Sequence, residues 1–171
     1  MDMSMFTSFE GRINRQKWWW GTIGLFVVNV ILYFVLSALI GGSRMANMDP
    51  AAIADFIASA MRSAAIVQLI MVVIIAYPGT ALMKKRLNDR DRPSWMVYMY
   101  WTPLVISILL NLTGMGMTAT DVGGVVIPMS STLSLIVSLA SLVIGIWGLI
   151  ELGFLRGTSG PNQHGPDPLA A

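Results

Sequence analysis

A chain of 171 residues with 55% hydrophobic but only 12% charged residues has about half the charge of a soluble domain, whose share is roughly 25%. Together with a mean hydropathy of +0.67, this makes lipid the solvent. The net charge of +2 does not point to nucleic acid, because the basic residues sit at the ends of apolar runs rather than along one soluble face. Having no cysteine excludes disulfides, thiolate metal sites and thiol nucleophiles.

The first 17 residues are polar and basic, with Arg12, Arg15 and Lys17 leading into Trp18-Trp19-Trp20. The apolar run 18–40 has Asn29 as its one strongly polar interruption. It exceeds the roughly 7–15 apolar residues of a signal peptide and ends in Gly41-Gly42-Ser43-Arg44 without a cleavage site, so it reads as a retained transmembrane helix. After a polar connection, Asp49 followed by Pro50 is a helix start. Ile53, Phe56, Ile57, Ala60, Met61 and Ala64 then recur at helical spacing. This predicts a short amphipathic helix before the second span, either lying at the membrane surface or forming an outer extension of that span.

The second span is 64–83, interrupted by Pro78-Gly79, and the third is 95–112, carrying Pro103. At about 1.5 Å per residue both lengths suit a hydrocarbon core of roughly 30 Å. Each proline frees the carbonyl four residues earlier, at Ile74 and Met99, and predicts a kink on the side of the basic loop between the spans. That loop, Lys84 to Trp95, reads KKRLNDRDRPSW and holds five of the eleven Lys and Arg residues. Residues 113–132 contain neither Lys nor Arg and read as a loop with a short extended piece at Val125-Val126-Ile127.

In the fourth span, 133–155, Ser134, Ser138, Ser141, Gly145 and Gly148 form one small-residue stripe. Such a stripe lets helices approach closely in lipid, either inside a four-helix bundle or across a homodimer seam. The tail, 156–171, has three prolines and three glycines. That composition favours tight turns, loosely ordered or folded against the basic loop.

With both termini and the basic loop on one side, the Lys and Arg residues divide nine against two. The positive-inside rule makes that side cytoplasmic, and Trp18, Trp19, Trp20 and Trp95 fall at the matching interface. The expected fold is an all-α membrane protein, a single integral membrane domain over 1–171, with four transmembrane helices and both termini cytoplasmic.

Three motifs stand in order along the chain: GRINRQKWWW at 11–20, KRLNDRDRPSW at 85–95 and GTSGPNQHGPDP at 157–168. Together they resemble the domain of unknown function 805 family of small bacterial inner-membrane proteins. The shared positions are Phe9, Gly11, Arg12, Arg15 and Trp19; Arg86, Leu87, Asp89 and Trp95; and Gly157, Gly160, Asn162, Gly165, Asp167 and Pro168. The chain departs from the pattern at Asn88, where the family often has histidine, at Pro93-Ser94 in place of Ser-Gly, and at His164 in place of tyrosine. Loss of the loop histidine argues against any scheme needing a titrating imidazole there. The resemblance implies a bacterial inner-membrane location and brings no established activity.

All three motifs fall on the predicted cytoplasmic side. Arg12, Arg15, Arg86, Asp89, Trp95, Asn162 and Asp167 therefore form a candidate network at the inner mouth of the bundle. It would act either as a clamp of Arg–Asp pairs or as a recognition face for membrane lipid, specifically anionic head groups, or for an unidentified protein partner. Glu151, one turn inside the fourth span, is the second candidate, because a carboxylate at membrane depth is costly to keep. It would serve proton coupling in an oligomeric transporter or channel subunit, reach water, or pair with Arg86 or Arg156. Asn29 reads as an interhelical hydrogen-bond former. The chain lacks H-E-x-x-H, G-x-S-x-G and phosphate-cradling glycine motifs, and His164 with Asp167 are too few ligands for a metal site. The expectation is a non-enzymatic module with no catalytic residues, no metal and no cofactor.

Overall fold

The computed structural model describes residues 3–40, 50–122 and 125–170. Its elements are α1 (Ser4–Thr7), α2 (Arg15–Ile40), α3 (Pro50–Asp89), α4 (Met96–Thr113), β1 (Met117–Val122), β2 (Val125–Ser130) and α5 (Thr132–Gly148), the last continuing into a π-helical turn, Leu149–Phe154. Four helical stretches are long and apolar enough to cross a membrane: Arg15–Ile40, Asp55–Asp89, Met96–Thr113 and Thr132–Phe154. The chain is a multi-pass membrane protein. Phe26, Phe34, Val73, Leu139 and Val143 all face outward with their rings and branches exposed, a surface stable only against hydrocarbon.

The amphipathic stretch and the second span are one uninterrupted helix, the 40-residue α3. At about 1.5 Å per residue it is roughly 60 Å long, twice the hydrocarbon thickness. The helix start expected at Asp49 lies outside the described residues. Both α3 and α4 run through their prolines, Pro78 and Pro103, without a break.

The loop 113–132 is more ordered than its composition implies. Gly114 ends α4 in the left-handed region at φ 78°, and an antiparallel hairpin follows, with Met117 opposite Ser130 and Thr120 opposite Ile127. The extended piece expected at 125–127 is the start of its second strand, so the expectation of an all-α fold is corrected to a mostly helical one. Ser131 caps α5, its Oγ accepting from Ser134 N–H at 3.2 Å. The Ser134 hydroxyl donates to Gly116 O at 2.9 Å, which anchors the hairpin to the helix.

Helices pack in chain order, α2 on α3, α3 on α4 and α4 on α5, while α2 meets the last span chiefly at its π-helical turn. The tightest core lies at the end where α3 finishes. There Met5, Ile13, Trp18, Leu82, Leu87, Met96, Val97 and Leu152 are buried together.

Candidate functional site

The end of α3 is shaped by its own backbone. Asp91 adopts φ 54°, while Arg92 N–H reaches Leu87 O at 2.9 Å and Asp91 N–H reaches Asn88 O at 3.1 Å. These are the paired bonds that close a helix through a left-handed residue. The helix thus stops at Asp89 with Arg86 and Asp89 one turn apart on one face, and Arg90 and Arg92 turned out beyond it.

Asp89 is the centre. Arg12 Nε–H and Nη2–H donate to its Oδ1 at 3.2 and 3.1 Å, and Arg86 Nη1–H donates to its Oδ2. The Asp89 carbonyl accepts from Thr158 N–H at 2.8 Å and from the Thr158 hydroxyl at 3.1 Å. Arg12 also donates to the carbonyls of Thr158 at 2.7 Å, Gly160 at 2.8 Å and Gly165 at 3.3 Å, so all five of its N–H groups have an acceptor. Arg86 holds the end of the last span through Leu152 O at 2.7 Å and through Leu155 O.

The side chains of Arg12, Arg86 and Asp89 are at most 3% exposed. Charges buried this far are tolerated only when paired and fully hydrogen-bonded. A Cβ built on Gly157 would stand 2.1 Å from Asp89 Oδ2, so the tail can close over the carboxylate only with glycine there.

The remaining predicted residues divide. Asn162 joins the cap, donating to Asn88 O at 2.9 Å and to the Thr158 hydroxyl at 3.0 Å. Asp167 stands one layer out, accepting from Gly160 N–H at 3.0 Å and Leu169 N–H at 2.9 Å. Those two amides, Leu169 foremost, hold its carboxyl below the usual 3.8. The tail is therefore folded against the basic loop. Arg15 and Trp95 are not in the network: both are exposed, and Arg15 makes only a marginal 3.5 Å approach to Phe154 O.

Beside the cap lies a cleft of about 430 Å³, lined by Arg15, Gln16, Arg156, Thr158, Ser159 and Asp167, with Arg86 and Asp89 at its base. The first, central and last segments of the chain all contribute to it. A family model described as a protein of unknown function, DUF805, matches residues 6–166, from before the first motif to within the third. The chain belongs to the DUF805 family. No curated protein and no solved structure shows significant similarity to this DUF805 chain.

Among the expectations for Glu151 was an ion pair with Arg86 or Arg156. The structure pairs it with Arg90 and Arg92 instead, whose Nε–H groups reach Glu151 Oε1 at 2.8 and 2.9 Å. Arg86 is already committed to carbonyls and to Asp89, while Arg156 gives its carbonyl to Arg90 at 2.6 Å. Asn29 lines a separate cavity of about 440 Å³ with Tyr33, Gln68 and Trp101. Among the described residues no three His, Asp or Glu side chains converge as a metal-binding group.

Sequence reasoning missed Thr158, Gly157 and Asn88, whose side chain donates to Gly11 O at 3.0 Å. All three lie within the three motifs, yet nothing in their type announces the contacts that they make. It also passed over Gln68, a second amide at membrane depth, whose polarity within an apolar run was the available signal.

Proposed function

We propose that this DUF805 protein is a non-enzymatic binding module of the bacterial inner membrane, with both termini cytoplasmic and its cleft directed to the anionic head groups of membrane lipid. The observation that carries this reading is the contrast between arginines. Arg12, Arg86, Arg90 and Arg92 each have a carboxylate partner, whereas Arg15 and Arg156 line the cleft exposed, with no carboxylate partner among the described residues. Two exposed guanidiniums beside the exposed Ser159 side chain suit a phosphate, which guanidinium binds bidentately. The nine-to-two division of basic residues and the tryptophans beside Arg15 support its placement at the cytoplasmic lipid boundary. Asp89, with both oxygens held by arginines, lacks the freedom a general base needs, which favours binding over catalysis.

The test is native mass spectrometry of the full chain with phosphatidylglycerol against phosphatidylcholine. Preferential retention of the anionic lipid, reduced about tenfold in Arg15→Gln/Arg156→Gln, is the expected result. Equal retention of both lipids, or a double variant that behaves like the parent, rejects the reading.

A transport role through Glu151 is the second reading. A π-helical turn at Glu151 favours it, since such turns often mark functional sites. Two arginines fixing one carboxylate oxygen weigh against it. Proton flux in proteoliposomes that disappears in Glu151→Gln would restore it.

A further inference from the structure

A cavity of about 440 Å³ lies at membrane depth between α2, α3 and α4. Asn29 and Tyr33, one turn apart, line it from α2, and Ala64, Gln68 and Val72 line it from α3 at the same helical spacing. Asn29 stands twelve residues from Lys17 and so about 18 Å along its helix, while Gln68 stands sixteen from Lys84, about 24 Å. Both amides therefore fall inside the hydrocarbon layer of roughly 30 Å.

Neither amide makes a hydrogen bond among the described residues. The Trp18 Nε1–H and the Tyr100 hydroxyl are also unmet, but their atoms are sealed in the core, whereas the amide atoms of Asn29 and Gln68 keep accessible surface. An amide both donates and accepts. Hydrocarbon can do neither, so only a polar molecule inside the cavity can meet these two groups. A water claims about 30 Å³ of liquid, which gives the cavity room for on the order of ten. No Lys, Arg, Asp or Glu lines it, a lining that suits water and uncharged solutes better than ions.

The two ends of the cavity are unlike. Toward the arginine cap it closes on Trp101, whose Nε1–H donates to Thr80 Oγ1 at 3.0 Å. The same ring stands 3.2 Å from where a Cβ on Gly79 would be, and it packs on the buried core of Leu82, Met96 and Val97. At the far end Tyr33 and Ala64 are exposed, and a tyrosine hydroxyl belongs where the bilayer meets water. We infer that this cavity is an aqueous vestibule, entered from the membrane face opposite the arginine cap, in which Asn29 and Gln68 hold water and small uncharged solutes. It ends blind at Trp101, so it is a chamber and not a pore. It shares no residue with the Arg15–Arg156 cleft, and either reading can fail without the other.

The chain has no cysteine, so one introduced thiol is the sole thiol, and it reacts as the thiolate, which forms in water and not in hydrocarbon. Full-length Gln68→Cys, Val72→Cys and Val73→Cys, in native membrane vesicles, are treated with a membrane-impermeant methanethiosulfonate on either face. Protease access to the C-terminal tail marks the face that carries the cap. Val73 follows Val72 on α3 but is exposed outside the cavity. The expected result is reaction of Gln68→Cys and Val72→Cys from the face opposite the tail, about tenfold faster than Val73→Cys. Val72→Cys keeps both amides and carries the test if Gln68→Cys does not fold. Adding Asn29→Leu and Gln68→Leu to Val72→Cys should slow its reaction about tenfold in protein that is still folded, because the groups that hold the water are gone. Equal rates at Val72→Cys and Val73→Cys, reaction from the tail's face alone, or a Val72→Cys rate that ignores the loss of both amides would each overturn the inference.

Discussion

At the arginine cap, Arg12, Arg86 and Asp89 are almost wholly buried, and every charged group among them has its partners. In the adjoining core, the Trp18 Nε1–H and the Tyr100 hydroxyl have no acceptor among the described residues. Both regions lie in the same bundle, and the same rule governs them: a buried polar group must be met. The cap obeys it with groups of its own chain, drawn from both termini and the central loop. The Trp18 and Tyr100 donors leave it unmet among the described residues. The difference teaches that the cap, where each buried charge is met, fixes the fold, while the cleft beside it stays open to solvent.

Breaking the cap should give the largest effect. Asp89→Asn keeps the size of the side chain but turns an NH2 group toward one of two guanidiniums, leaving a buried charge uncompensated. A loss of about 3–5 kcal/mol is expected, read as a large fall in the Tm of the purified protein and release of the tail to proteolysis. An unchanged Tm would mean that the cap is ornamental. Gly157→Ala should follow, at about 1–3 kcal/mol, because its Cβ would fall 2.1 Å from an oxygen that cannot retreat. The combination of Gly157→Ala with Asp89→Asn should cost less than the two alone, since they damage one contact.

Glu151→Gln should cost less again, about 1–2 kcal/mol. Glutamine keeps an acceptor oxygen, and Arg92 is half exposed and so loses little. A loss as large as that of Asp89→Asn would extend the cap to the π-helical turn and erase the distinction between its two acidic centres.

Much of the architecture was legible because lipid imposes a strong and simple pattern. The lengths of the apolar runs located the four spans, and the motifs named Arg12, Arg86, Asp89 and Asn162 before any geometry. What stayed hidden depends on backbone carbonyls. Arg86 is placed by Leu152 O and Leu155 O, and side-chain identity at those two positions says nothing about that. The ion pair offered for Glu151, among its other readings, named Arg86 and Arg156 rather than Arg90 and Arg92, because sequence distance cannot show which arginines the left-handed turn at Asp91 swings toward it. The small-residue stripe was read as a contact surface, yet its middle lines a space; spacing shows that helices could approach, not that they do. The hairpin was half seen because Gly, Thr and Met are compatible with loop and strand alike.

The finest test is at the cap's outer edge, where Asp167 is half-buried and its bonds to Leu169 N–H and Gly160 N–H are the main cause of its lowered pKa. A carboxyl held below its usual 3.8 stabilises the fold above that value, and the contribution disappears as pH falls through the lowered folded value. The amide shifts of Gly160 and Leu169 should therefore titrate together on the acid side of pH 3.8, with little change from pH 7 down to about 5. Asp167→Asn keeps an acceptor but has no proton to take up, so the shared titration should vanish while the bundle stays folded. If the two amides titrate at the ordinary carboxylate value, the tail is not held by Asp167, and the cap ends at Asn162.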